Sequence, residues 1–293
     1  MESVEFKAAD GFNLQGCLYG DPSRCQSAVL IVPAMGVPQR FYTDFAEWLT
    51  SQGHAVMSFD YRGMGASRPA QMKHSLRGLA ANVNTWAEQD TAAALAWLDS
   101  KLPASTPIHW LGHSLGGQIF GMVPNRDRVS RVVTIGVGTG YWLHNAAKAR
   151  SYVWWLWYVI CPLVMPLYGY FPGKRLRKVG DLPLGVMQQW RRWCLNRDYL
   201  VGEGGDAVRA EYAAITTPML SLSFTDDEYM SARNTTNMHA FYASAPREMR
   251  RIAPQDIGAR RIGHFGFFRQ RFAPTLWPQV SQWLAHTSAQ ESA

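Results

Sequence analysis

The chain has 293 residues, about twice the common single-domain length, a size at which α/β enzymes still fold as one domain carrying insertions. With 47% hydrophobic and 17% charged residues it can bury a sizeable core and shows no low-complexity bias, which excludes disordered, collagenous and coiled-coil classes. The formal charge of +7 is concentrated: between Tyr141 and Arg192 eight Lys and Arg residues face Asp181 alone, a surplus as large as that of the whole chain.

The elements expected in chain order alternate short apolar strands with amphipathic helices, the rhythm of a mostly parallel sheet. Asp10-Gly11, between VEFKAA and FNLQGCLY, signals a tight turn in an opening antiparallel hairpin. A buried strand over Ala28 to Val32 is followed by a helix from about Arg40 to Ser51, a strand over His54 to Phe59 and a long helix from about Val83 to Leu102. Next come a strand over Ile108 to Leu111, a helix from Leu115 to about Met122 and a strand over Arg131 to Ile135. The rhythm then breaks and resumes at Pro218 with MLSLSF, a helix from about Ala232 to Ala243, a strand near Glu248 to Ile252 and a helix from about Pro274 to His286.

Residues 139–204 read as an insertion, a Trp-rich helical cap between core segments 1–138 and 205–293, and they hold half of the 12 tryptophans. Tyr152 to Phe171 runs twenty residues without a charge, long enough to cross a bilayer as a helix. Pro162 and Pro166 are expected to interrupt it, and one crossing would place successive strands of a sheet on opposite sides of the membrane. A pair of buried cap helices is therefore expected, with basic flanks that could touch lipid headgroups or amphiphilic substrates. Because the basic residues interleave with tryptophans, they suit a pocket wall with a charged rim better than a nucleic-acid surface.

The four cysteines, Cys17, Cys25, Cys161 and Cys194, have no disulfide or zinc spacing. The opening MESVEFKAADGF lacks the features of a secretory signal, so a reduced, cytoplasmic protein is expected. No metal signature or nucleotide motif occurs, and no cofactor is expected.

Chemistry concentrates at Gly112-His113-Ser114-Leu115-Gly116-Gly117, which follows the apolar strand PIHWL and precedes IFGMV. This is the strand-to-helix setting of a GxSxG nucleophile elbow, whose tight turn exposes the central serine and leaves no room for side chains at the flanking glycines. The plain alternative is a glycine-rich turn in which Ser114 only caps a helix. A catalytic serine needs a histidine base, and that histidine needs a carboxylate to fix its tautomer.

The GHSLGG elbow, the opening ADGFNLQG, the VPAMG loop, DYRGMGAS at Asp60 to Ser67, TPMLSLSFTDD and IGHFGFF together resemble the α/β-hydrolase superfamily. Within it the chain is similar to the serine-nucleophile branch of S33 and monoacylglycerol-lipase-like proteins, including predicted bacterial hydrolases. The resemblance spans all but residues 139–204. It implies an α/β-hydrolase fold: a mostly parallel central sheet, an antiparallel N-terminal hairpin and an inserted helical cap. DYRGMGAS is then a structural turn beside the active-site cleft rather than a phosphate loop.

In that fold the acid and base follow the serine. Of the histidines beyond MLSLSF, His239 lies in a helix and His286 near the tail, where solvated side chains are expected, whereas His264 sits in a glycine-flanked loop. Two aspartates compete for the acid: the pattern PVLxIxGxxDxxxP counted from Pro218 gives Asp227, the expected acid, and counting from Ser223 gives Asp226 as the alternative. Leu115 and Met35 would supply the oxyanion N–H groups, although Pro33-Ala34 departs from the His-Gly usual in this loop.

The resulting expectation is a serine hydrolase that cleaves a small-molecule ester or thioester with a hydrophobic acyl group, its pocket walled by Trp142, Trp154 and Trp157. Acyl transfer and carbon–carbon bond hydrolysis use the same triad, and a non-catalytic lipid-binding module is the alternative from another class.

Overall fold

The computed structural model describes residues 1–176 and 179–285. Its centre is an eight-stranded sheet built from β1 (Glu2–Lys7), β2 (Asn13–Tyr19), β3 (Ser27–Val32), β4 (His54–Phe59), β5 (Ile108–His113) and β6 (Val129–Ile135), completed late in the chain by Met219–Phe224 and Arg247–Ile252. Between β6 and those last two strands, β7 (Tyr170–Phe171) and β8 (Leu182–Pro183) pair as a small antiparallel ribbon, so the late sheet strands are β9 and β10. The sheet order is β1-β2-β4-β3-β5-β6-β9-β10, parallel from β4 onward and antiparallel at β1 and β2.

The middle strands are wholly buried because helices cover both faces, as their near-continuous apolar sequences require. Along β3 the side chains alternate between two cores: Ala28, Leu30 and Val32 join Trp86 and Trp110, while Val29 and Ile31 join Phe45 and Trp277. The hairpin connection runs from Ala8 to Phe12 and is wider than a two-residue turn; Gly11 takes φ 84°, and Asp10 Oδ1 accepts from the Phe12 N–H at 3.2 Å.

Several expected helices are shorter or differently wound. The first begins as a 3₁₀ turn, Gln39–Tyr42, before α1 (Thr43–Ser51). The expected helix from Val83 to Leu102 divides into α2 (Val83–Thr85), a π turn over Trp86–Thr91 and α3 (Ala92–Asp99). In that wider turn the Thr91 hydroxyl donates to the Trp86 carbonyl at 2.7 Å, and Asp90 bonds the Arg62 guanidinium at 2.7 Å. The helix after the elbow, α4 (Leu115–Gln118), gives way to a 3₁₀ turn, as three glycines and Pro124 leave little helix propensity.

The insertion corrects the sequence reading most. In place of a proline-broken pair, α5 (Ala147–Trp155), a π turn over Leu156–Ile160 and α6 (Cys161–Tyr168) form one continuous 22-residue helix, long and apolar enough to cross a membrane. In the π turn, the Trp157 carbonyl would take its bond from residue 162, which is a proline without an N–H; the Arg191 guanidinium donates to it instead at 2.6 Å. α7 (Leu184–Leu195) and α8 (Tyr199–Ala214) follow, the latter bent at Gly205 with φ 75°, where the cap boundary is expected. After β9 come α9 (Ala232–Ala240), α10 (Gly263–Gly266) and α11 (Trp277–Ala285), the last helix among the described residues. Arg177 and Lys178 of the basic segment and His286 lie outside the described residues.

Candidate active site

β5 ends one residue before Ser114, which takes φ 49° and ψ −114°, one of two non-glycine residues with positive φ among the described residues. The Ser114 N–H donates to the Ile135 carbonyl of neighbouring β6 at 3.0 Å, and its carbonyl accepts from Gly117, so sheet and helix hold the strained turn from both sides. A Cβ on Gly116 would stand 2.0 Å from the Val32 carbonyl oxygen, which explains the glycine there.

His264, at the start of α10, is buried, and its Nδ1 lies 2.8 Å from Asp227 Oδ2. The other Asp227 oxygen accepts the N–H groups of Tyr229 and Met230, both at 2.8 Å, which fixes the carboxylate. Burial pulls the His264 pKa down, but the Asp227 charge and hydrogen bond, with Glu228 nearby, outweigh it and hold the pKa above the ordinary histidine value. Asp227 donates nothing and its acceptor bond fixes the proton on Nδ1, which leaves Nε2 as the basic nitrogen.

Asp226 does a different job: its two oxygens accept the N–H groups of Ile262 and Gly263 at 2.9 and 3.1 Å. Glu228 accepts the His264 N–H at 3.1 Å. Three consecutive acids thus anchor the loop that carries His264. Gly136, at φ 60°, passes directly beneath; a Cβ there would lie 3.3 Å from His264 Nδ1. Nothing in the sequence singled out Glu228 or Gly136 for this role.

His239, expected to be solvated, is buried. Its Nδ1 donates to the Thr235 carbonyl and its Nε2 accepts from the Thr134 hydroxyl, both at 2.8 Å, and burial pushes its pKa down to about 4. It is a neutral clamp between α9 and β6.

Residues 23–166 match the family model described as serine aminopeptidase, S33, a stretch that includes the elbow but neither Asp227 nor His264. Solved structures extend the likeness across the chain. A soluble variant of monoglyceride lipase from Saccharomyces cerevisiae, in complex with a substrate analogue, superposes with a TM-score of 0.68 at 17% identity, covering 96% of this chain and 94% of that one. The Pyrococcus furiosus esterase Pf2001 gives 0.59 at 15% identity, with 97% and 88% coverage. The chain has the α/β-hydrolase fold. Est1E from Butyrivibrio proteoclasticus, with ferulic acid bound, is a further neighbour at TM-score 0.58 and 16% identity, with 96% and 98% coverage. No curated protein matches the sequence.

Ser114 and His264 open onto a cavity of about 530 Å³, bounded on the sheet side by Met35 and Leu115. Leu115 begins α4, so its N–H has no acceptor within the helix. The Ala34 N–H is taken by Tyr42 Oη at 2.9 Å, and the following residue, Met35, lines the cavity together with Ser114. The cap roofs the cavity with Tyr152, Val153, Leu156, Trp157, Trp190 and Cys194.

Of the three tryptophans expected in the wall, only Trp157 is there. Trp154 is 40% exposed on the outer side of the cap helix, and Trp142 packs edge-on against Tyr158, away from the cavity. The spacing i, i+1, i+4, i+5 of Tyr152, Val153, Leu156 and Trp157 marks the inner helix face, a signal hidden once the prolines are read as breaks.

A second chain of hydrogen bonds ties the site together, and its protons run one way. The Ala34 N–H donates to Tyr42 Oη; that hydroxyl donates to His113 Nδ1 at 3.0 Å; His113 Nε2 donates to the His264 carbonyl at 3.1 Å. Burial, reinforced by His264, holds the His113 pKa well below its ordinary value, so its Nδ1 remains an acceptor. The Ala34 loop, the Ser114 turn and the His264 loop therefore share one brace. The DYRGMGAS turn beside it is held by its own carboxylate: Asp60 accepts the N–H groups of Gln39 and Ala66, both at 2.8 Å.

Proposed function

We propose that this protein is a serine esterase that cleaves a carboxylic ester or thioester with a hydrophobic acyl group through an acyl-enzyme. The observation that carries the reading is the 2.8 Å bond from Asp227 to His264 in one cavity with a serine on a strained elbow. Ser114 Oγ attacks the acyl carbonyl while His264 Nε2 takes its proton and returns it to the leaving group; Asp227 stabilises the imidazolium. The oxygen that becomes negative sits against the N–H groups of Leu115 and Met35. Water, activated by His264, then releases the acid.

Esters and thioesters suit the site better than amides because their leaving groups ask less of the general acid. The apolar roof of Val153, Leu156, Trp157 and Trp190 suits an acyl chain. The lipase and esterases among the structural neighbours support the same class. All four cysteines are free, in keeping with a cytoplasmic setting. The test is hydrolysis of p-nitrophenyl esters of rising acyl length by the wild-type protein and Ser114→Ala. Turnover that is lost in the variant supports the proposal; turnover that survives the substitution, or inert wild-type protein across the series, refutes it.

A further inference from the structure

Eight large apolar side chains are exposed among the described residues, and six of them lie between Leu143 and Leu167. Trp154, Trp155, Tyr158, Leu163 and Leu167 project from the side of the cap helix opposite the cavity, with Trp155 55%, Leu163 62% and Leu167 72% exposed. From Tyr152 onward the helix is thus apolar all round, yet only its inner face is covered. A helix without a polar face belongs between two apolar surroundings, and here the second is missing.

Charge says what fits against it. Lys148 and Arg150 are exposed at one end of the helix, and Arg77, Lys174 and Arg175 at the other. Arg77 donates to the carbonyls of Leu167 and Tyr168 at 2.7 and 3.0 Å, which fixes its cation beside the ridge. No Asp or Glu occurs between Asp127 and Asp181. A second copy of the chain docked along the ridge would bring basic ends together, parallel or antiparallel, at a cost in repulsion. Aromatic and leucine side chains between basic flanks match an anionic lipid surface.

We propose that this ridge seats the protein on an anionic phospholipid bilayer, with the helix lying in the interfacial plane. A transmembrane pose is disfavoured because Tyr152, Val153, Leu156 and Trp157 of the same helix roof the cavity and would have to leave it. The proposal stands apart from the esterase reading, since binding is measured without substrate.

The experiment is co-sedimentation of the full-length protein with vesicles of phosphatidylcholine alone and of an equal mixture with phosphatidylglycerol, at low and high salt, followed by alkaline carbonate extraction. Wild-type protein should pellet with the anionic vesicles, weaken with salt and be released by carbonate. Trp155→Ser/Leu163→Ser/Leu167→Ser should bind about tenfold more weakly or worse. Met249→Ser, which removes an exposed apolar residue elsewhere, should bind as wild type does. Lys174→Gln/Arg175→Gln, which leaves the apolar ridge intact, should bind more weakly and lose part of the salt dependence, and it decides the matter if the triple variant misfolds. Equal binding by wild type and both variant sets overturns the proposal. So does a dimer in sedimentation equilibrium that the ridge substitutions dissociate while vesicles go unbound, or protein that resists carbonate.

Discussion

Replacing Asp227 by asparagine separates the two candidate acids most sharply. Asp227 holds two backbone N–H groups on one oxygen and the His264 ring on the other, all at 2.8 Å. An asparagine has one acceptor oxygen, and turning its NH₂ toward the two N–H donors would lose both bonds, each worth roughly 1.5–3 kcal/mol when made to a charged acceptor. The amide therefore keeps its oxygen on Tyr229 and Met230 and presents NH₂ to His264 Nδ1. That forces the ring proton onto Nε2, where it can no longer accept the Ser114 proton. A wrong tautomer costs about ten-thousandfold in kcat, or ~5.5 kcal/mol. Asp226→Asn gives up one of two bonds to the base loop, expected to cost about 1–3 kcal/mol of stability and no more than about tenfold in rate. The assay is kcat/KM on a short-chain p-nitrophenyl ester from acid to neutral pH, with a thermal melt of each variant. With neutral His264 as the proposed base, the wild-type rate should fall as pH drops through a pKa held above the ordinary histidine value. In Asp227→Asn the main raising influence is gone while burial remains, so any residual activity should show its acid limb at lower pH. An Asp226→Asn loss equal to or larger than that of Asp227→Asn would refute the assignment.

Three further expectations concern the surroundings. Trp157→Leu should reduce turnover of long-chain esters about tenfold relative to acetate, whereas Trp154→Ala, outside the cavity, should leave the chain-length profile unchanged; the same profile in both variants would remove Trp157 from the acyl wall. Tyr42→Phe strips the Ala34 N–H of its acceptor and His113 of its donor, so kcat should fall about 10–100-fold with KM little changed; kcat within about twofold of wild type would show that the brace does not position the oxyanion loop. Gly116→Ala drives a methyl into the Val32 carbonyl and should cost more than about 3 kcal/mol in denaturant unfolding, a prediction lost if the midpoint is unchanged.

The sheet was legible because fully buried strands such as SAVLIV and MLSLSF leave an apolar trace that helical periodicity does not produce. The elbow was legible for a related reason: close backbone approaches admit only glycine, and GHSLGG records them. What escaped the sequence depends on contacts far along the chain. The π turns at Trp86–Thr91 and Leu156–Ile160 are stabilised by Thr91 and by Arg191, neither of which marks a periodic pattern. Pro162 suggested a helix end, whereas the wider turn and a distant guanidinium absorb it. His239 sat in a polar-looking helix, and only its tertiary contact with Thr134 shows it buried. Asp226 and Asp227, adjacent in sequence, point to different partners, a distinction set by the loop after β9.

Activation of Ser114 as a nucleophile by His264 is tested most directly by labelling with a fluorophosphonate probe followed by intact mass. One adduct is expected on folded wild-type protein and none on Ser114→Ala or His264→Ala. An adduct that persists in Ser114→Ala, or a folded wild type that takes no label, would contradict it.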